Sequence, residues 1–267
     1  MNIFVLVKEV PDMERVKFDS EKGVIERKSA DAEINPFDLY ALQAAVDIKN
    51  DFAKRNIQCT ITALSMGPKK AEATMKDVYA RGADRCILIT DRRFGGSDTL
   101  ATSSIIAAAV RAAGEFDLII CGEKTVDGDT AQVGPEVAEI LEIPHGCYAD
   151  KIEAEDDKAV VYISEICGTG QIKELDYPAL VSVCKNVSKP VLPGLKRKLE
   201  SINRFEVEYL SFEDIKSYVK AEDIGGKGSP TKVARIEIPP QAVKDSQIHS
   251  DFASFKSVFE EIIKDYV

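Results

Sequence analysis

Four short strand-like runs, each followed by a stretch of helical character, constrain this chain more than any other feature. Residues 3–7 (IFVLV) are apolar throughout, as expected of a parallel strand covered by helices on both faces and central in the sheet. Residues 58–65 (QCTITALS), 85–90 (RCILIT) and 118–121 (LIIC) read as three further strands. Helical patterns fill the intervals. Asn35, Pro36, Phe37 and Asp38 open the first, with Asn35 as N-cap, Pro36 at the first helical position and Asp38 at the positive end of the dipole. Met66, Gly67 and Pro68 break into a second, which ends near Gly82. Asp98 caps a third, which runs towards Gly114, and a fourth reaches Leu141. Strands alternating with helices over about 140 residues predict a mostly parallel sheet with right-handed crossovers. Ligands of such sheets bind at the carboxyl ends of the strands, where the loops after Val7, Ser65 and Cys121 are expected to meet.

The pattern then changes. Residues 148–153 and 159–164 flank an acidic turn and predict a hairpin, and residues 178–184 resemble another apolar strand. The segment 15–30 is charged, with Gly23 at a turn between short extended pieces. From Lys185 onward the chain is rich in Lys, Glu and Pro and ends in an amphipathic run, residues 252–266, which is expected to lie on a partner subunit.

Composition narrows the function. A formal net charge of -10 argues against a binder of nucleic-acid backbones. The six cysteines are widely spaced, form no CxxC pair, and are expected to be reduced thiols rather than disulfides or metal ligands. The start, MNIFVLVKEV, has no basic leader, and no run is long enough to span a bilayer, so a cytoplasmic protein is expected. His145 and His249 are the only histidines, and neither accompanies a nucleophile motif.

The candidate site is CGEKTVDGDTAQVGP, residues 121–135. It predicts a strand end, a long loop and a helix start, a geometry suited to phosphate. Gly122, Gly128 and Gly134 let the backbone approach a ligand, and Thr130 and Gln132 offer neutral hydrogen-bond partners. The same residues also fit a polar loop in which Asp127 or Asp129 caps the helix. Neither GxGxxG nor GxxxxGK[ST] is present, so local chemistry alone leaves a candidate nucleotide loop.

Four separated stretches carry a resemblance: VLVKEVPD (5–12), INPFDLYALQAAVDIK (34–49), CGEKTVDGDTAQVG (121–134) and GSPTKV (228–233). In order and spacing the chain resembles the beta subunit of electron transfer flavoprotein. That resemblance implies a Rossmann-like α/β fold of the adenine-nucleotide-binding type with an added hairpin and an extended C-terminal arm. It divides the chain into a nucleotide-binding part, 1–190, and a recognition loop and arm, 191–267, packed on an FAD-carrying alpha subunit.

DGDTAQVGP, with FGGSDTLATS (94–103), further resembles the electron-bifurcating branch of the family. The pocket there holds a second FAD, which exchanges a hydride with NAD(H) and divides electrons between ferredoxin or flavodoxin and the alpha-subunit FAD. The latter feeds a partner dehydrogenase. The chain would then be the redox subunit of a flavin-based, NAD-dependent bifurcating complex with no catalytic side chain of its own. The alternative is the ordinary family member with a structural AMP.

Residues carried over to the cofactor are Leu6, Val7, Lys8, Ser65, Met66, Asp98, Thr99, Thr102, Cys121, Gly122, Asp127, Gly128, Asp129, Thr130, Ala131, Gln132, Val133 and Gly134. Met13, Phe37 and Glu165 are expected near the alpha-subunit flavin, although EICGTGQIKELDYPALVSV lacks the family's paired acids. Leu192 aligns with the leucine that anchors a client dehydrogenase.

Overall fold

The computed structural model describes residues 1–12, 17–19, 24–26, 32–166, 169–232 and 250–264. The chain begins with β1 (Asn2–Leu6) and a short antiparallel pair, β2 (Glu9–Pro11) with β5 (Ala32–Ile34). Between them β3 (Lys17–Asp19) pairs antiparallel with β4 (Val24–Glu26), as the segment's charged, extended character predicts. The helix α1 (Pro36–Lys54) is followed by β6 (Thr60–Met66), α2 (Glu72–Arg81), β7 (Arg85–Ile89), α3 (Thr99–Ala113), β8 (Leu118–Gly122) and α4 (Val133–Leu141). All four sequence-predicted strands and their helices are present.

β9 (His145–Ala149) then leads to an antiparallel set, β10 (Lys151–Ala154), β11 (Lys158–Ile166) and β12 (Thr169–Asp176). The predicted hairpin therefore carries a third strand. β13 (Ala179–Val183), α5 (Leu195–Asn203), β14 (Glu208–Leu210), α6 (Phe212–Ile215) and α7 (Gly225–Gly228) complete the first compact unit, Met1–Ala234. The second unit, Arg235–Val267, holds α8 (Phe252–Lys264), on which Phe252, Phe255 and Phe259 are exposed.

The main sheet has seven strands in the order β14-β7-β6-β1-β8-β13-β9, every pair parallel, and β1 is its middle strand. Alternation along β1 sorts its side chains between two cores. Ile3, Val5 and Val7 join α1 and α2 residues such as Leu42 and Met75, whereas Phe4 and Leu6 join Ile105 and Val137 of α3 and α4. Helices thus cover both faces, giving a Rossmann-like α/β fold. Ala159, Val161 and Leu175 of the three-stranded set pack into the α1 side.

Residues beyond 190 contribute to this unit more than their composition predicts. β14 pairs with β7, and Val207, Phe212, Ile215, Val219 and Ile224 are buried in its cores. Arg197 on α5 donates to the carbonyls of Tyr79 and Ala83, while Lys198 pairs with Asp77 of α2. Part of the segment expected as an arm is therefore built into the chain's own sheet.

Candidate functional site

From β1 the chain winds outward through β6 to β7, then returns to place β8 on the opposite side of β1. The carboxyl ends of β1 and β8 consequently diverge at a topological switch point, the place where parallel sheets of this kind open a crevice. The Lys8 ammonium spans it, donating to both carboxylate oxygens of Asp127 at 2.7 and 2.9 Å. The Asp127 side chain is only 7% exposed, whereas that of Lys8 is 44% exposed. Each belongs to a predicted site stretch, but their pairing was not legible from sequence.

The start of α1 holds this arrangement together. Asn35 sits at the N-cap as expected, yet its side chain makes no cap bond to α1. Its Nδ2 instead donates to the Lys124 carbonyl at 2.9 Å and its Oδ1 accepts from the Val126 amide at 3.1 Å. Asp38 is buried, accepting from the amides of Lys8 at 2.8 Å and Gly122 at 3.2 Å. Burial pushes its carboxyl up to about 7, against the lowering pull of those amides and of Asn35. Sequence reasoning assigned both residues to helix initiation and missed this second role, because N-P-x-D suits a helix start so well.

The loop from Cys121 to Gly134 separates into parts. A Cβ at Gly122 would lie 2.5 Å from Asp38 Oδ1 and 2.7 Å from Phe37 Cβ, and one at Gly134 would lie 3.0 Å from Cys121 Sγ. The close backbone approach at these two glycines is therefore to α1 and β8. Gly128 is exposed, and a Cβ there would meet only Thr125 Oγ1, at 3.3 Å. The left-handed positions are Asp129, at φ 53°, and Ala131, at φ 55°, neither of them glycine. Asp129 pairs with Lys124, and Gln132 occupies the N-cap of α4, so neither Asp127 nor Asp129 caps it. Thr130 and Gln132 are exposed beside a helix start that carries no side-chain cap. Leu6, Val7, Ser65 and Cys121 are buried in the sheet, and burial drives the Cys121 thiol far above its ordinary value. Met66 and Val133 are partly exposed.

A second loop approaches from β7. Asp98 caps α3 as predicted, accepting from the Ala101 amide at 3.0 Å. It also accepts from the Thr231 amide and hydroxyl, at 2.9 and 2.7 Å, while its own amide donates to Ser229 Oγ. Desolvation pushes the Asp98 carboxyl up, but these bonds outweigh it and hold the group below the usual carboxylate range. Ser229 and Thr231 of the GSPTKV stretch, matched in sequence without a role, thus brace the FGGSDT loop. Gly225 is required there, since its Cβ would collide with the Arg93 carbonyl. Thr99 and Ser103 donate to Glu136 on the first turn of α4, at 3.3 and 2.8 Å, and so tie the two loops' helices together. Thr102 is partly exposed on the same helix. On the β6 side, Thr74 donates to Glu9 at 2.7 Å and fixes α2 to the chain leaving β1. The three loops expected at one edge therefore lie at the carboxyl ends of neighbouring strands.

Phe37 is partly exposed, with Lys124 Nζ 5.7 Å above its ring. Met13 lies outside the described residues, as does the side chain of Glu165, whose backbone belongs to β11. Leu192 is 86% exposed. Cys59, Cys86 and Cys121 are buried free thiols, Cys147 and Cys184 are partly exposed, and Cys167 lies outside the described residues. Among the described residues no helix is long and apolar enough to cross a membrane.

A family model described as the electron transfer flavoprotein domain matches residues 22–210. The chain is 38% identical over 239 residues to an electron transfer flavoprotein subunit beta from Thermoanaerobacterium thermosaccharolyticum, covering 90% of this chain and 88% of that protein. It is 39% identical over 249 residues to the subunit of the same name from Megasphaera elsdenii, again covering 90% and 88%. Identity to the acryloyl-CoA reductase electron transfer subunit gamma of Anaerotignum propionicum is 37% over 247 residues, with 90% of each chain covered.

Proposed function

Because the chain belongs to the electron transfer flavoprotein family, as a beta subunit whose partner is an alpha subunit, we infer that it holds a second, bifurcating FAD at the β1/β8 switch point. The observation that carries this reading is the loop at that point. It has two left-handed non-glycine residues, a lysine across the gap, and an uncapped helix start behind it.

The residues fit a dinucleotide. Asp127 is held by Lys8, so its carboxylate does not confront a phosphate unneutralised. Thr130 and Gln132 offer hydrogen bonds to phosphate oxygens, and Asp127 and Asp129 to ribityl hydroxyls. When bound, FAD supplies two-electron exchange with NAD(H) and one-electron exchange with the two acceptors. This chain's groups bind and orient it. Glu136, with Thr99 and Ser103, fixes the FGGSDT loop beside α4, and the Asp98–Thr231 bonds keep that loop in place for a nicotinamide dinucleotide.

Ferredoxin or flavodoxin would be one acceptor, and a dehydrogenase reached through the alpha subunit would be the other. The Anaerotignum relative is by name an electron transfer subunit of acryloyl-CoA reductase, which supports a client of that general kind. Quantifying FAD and AMP after denaturing the purified heterodimer tests the reading. Two FAD molecules, one reducible directly by NADH, are expected. One FAD with one AMP would overturn the bifurcating assignment and leave an ordinary electron-transferring subunit with a structural nucleotide.

A further inference from the structure

We propose that Asn35 and Asp38 are positioning residues of the nucleotide site, a two-residue clamp that sets the loop after β8 against the end of β1. The inference rests on that loop being the nucleotide site, but its geometry stands independently. Five backbone groups around the switch point are held within one turn of chain. Lys8 is gripped at both ends, its amide donating to Asp38 Oδ2 at 2.8 Å and its carbonyl accepting from the Asn35 amide at 2.9 Å. On the β8 side the Gly122 amide donates to Asp38 Oδ1, the Lys124 carbonyl accepts from Asn35 Nδ2, and the Val126 amide donates to Asn35 Oδ1.

The clamp is matched to its surroundings. Asn35 is fully buried and Asp38 nearly so, so the bonds face no competition from water. Gly122 is the only residue type that admits Asp38 and Phe37 at their observed distances. Asn35 uses a donor and an acceptor on successive alternate residues of the loop, which a leucine of the same shape cannot reproduce. Asp38 uses two acceptors, which an isosteric asparagine cannot reproduce. Both exchanges preserve size, so they separate hydrogen bonding from packing. The clamped residues end one position before Asp127, so the clamp also fixes where that carboxylate meets Lys8.

Amide hydrogen exchange on the intact heterodimer, with AMP and FAD binding to nucleotide-stripped protein, tests this. In the unaltered complex the Val126 amide, although in a loop, is expected to exchange at least tenfold more slowly than Thr130. Equal rates would overturn the clamp, whatever variants do. Asn35→Leu, which cannot accept, should accelerate Val126, and Asp38→Asn, which keeps one acceptor, should accelerate Lys8 or Gly122, each about tenfold or more, with Val5 and Ile120 in the strands unchanged. Affinity for whichever nucleotide the unaltered complex binds should fall about tenfold in both variants.

Unchanged exchange and affinity would overturn the proposal. Acceleration spread equally over Val5 and Ile120 would do the same by reducing the effect to general destabilisation. If the unaltered stripped complex binds neither AMP nor FAD at this subunit, the nucleotide reading of the loop fails and the positioning role fails with it. Protected Val126 and Gly122 would then describe a structural clamp only.

Discussion

At the scale of single residues, two glycines in one loop have different consequences. Gly122→Ala drives a methyl against Asp38 and the backbone of Phe37, which lies at 2.8 Å from the Cβ position. We expect a loss of about 1–3 kcal/mol of unfolding free energy by urea titration, the usual range for overpacking. Gly128→Ala should stay within about 0.5 kcal/mol in the same titration, as an exposed site with one flexible neighbour. Asp38 sets a pH dependence. Its folded carboxyl titrates at about 7 rather than 3.8, so the native state keeps a proton that the unfolded chain releases. Stability contributed in this way is full below about 4 and declines as pH rises towards 7, by at most about 1.4 kcal/mol per pH unit. Thermal unfolding across that window should be steeper for the native chain than for Asp38→Asn, and parallel curves would contradict it. None of this was visible from sequence. Asp38 was legible as a good first-turn residue, but its partners lie 30 and 84 positions away.

At the scale of elements, legibility followed burial. β1, β6, β7 and β8 are enclosed on both faces, so buried apolar residues dominate them, although β6 keeps Thr62 and Ser65, and they stand out as strand-like runs. β12 is almost wholly exposed, so TGQIKELD carries no apolar period to detect. β14 is three residues long, and the bidentate Arg85–Glu208 pair beside it joins residues 123 apart. A pattern search within one window registers neither. α5 was not among the predicted helices. Its inner side meets α2, while Leu195, Leu199 and Ile202 remain exposed at helical spacing beyond Leu192. Leu192→Ala should therefore leave melting temperature and flavin content unchanged while raising the KM for the client dehydrogenase about tenfold, as loss of an interface anchor does. Loss of flavin would instead assign Leu192 to folding.

At the scale of the molecule, the chain divides at Ala234, well beyond the change in composition at Lys185. The later residues looked too poor in apolar content to fold alone, and among the described ones Val207 joins the core that holds Ile3 of β1, while Phe212, Ile215, Val219 and Ile224 join the core that holds Phe4. Truncation after Ala234 should leave a cooperative thermal transition, whereas truncation after Asn203 should abolish it by removing β14 and the buried Phe212 and Ile215. Calorimetry distinguishes the two. The strand order also fixes a sequence of events during synthesis. β13 must enter between β8 and β9, both of which precede it on the ribosome. The outer edge of β8 therefore waits unpaired until Val183 has emerged, an interval of roughly 3–12 s at ordinary elongation rates. An open edge is a template for any passing chain. Messages truncated before that codon should yield insoluble product, and those ending beyond α7 should not.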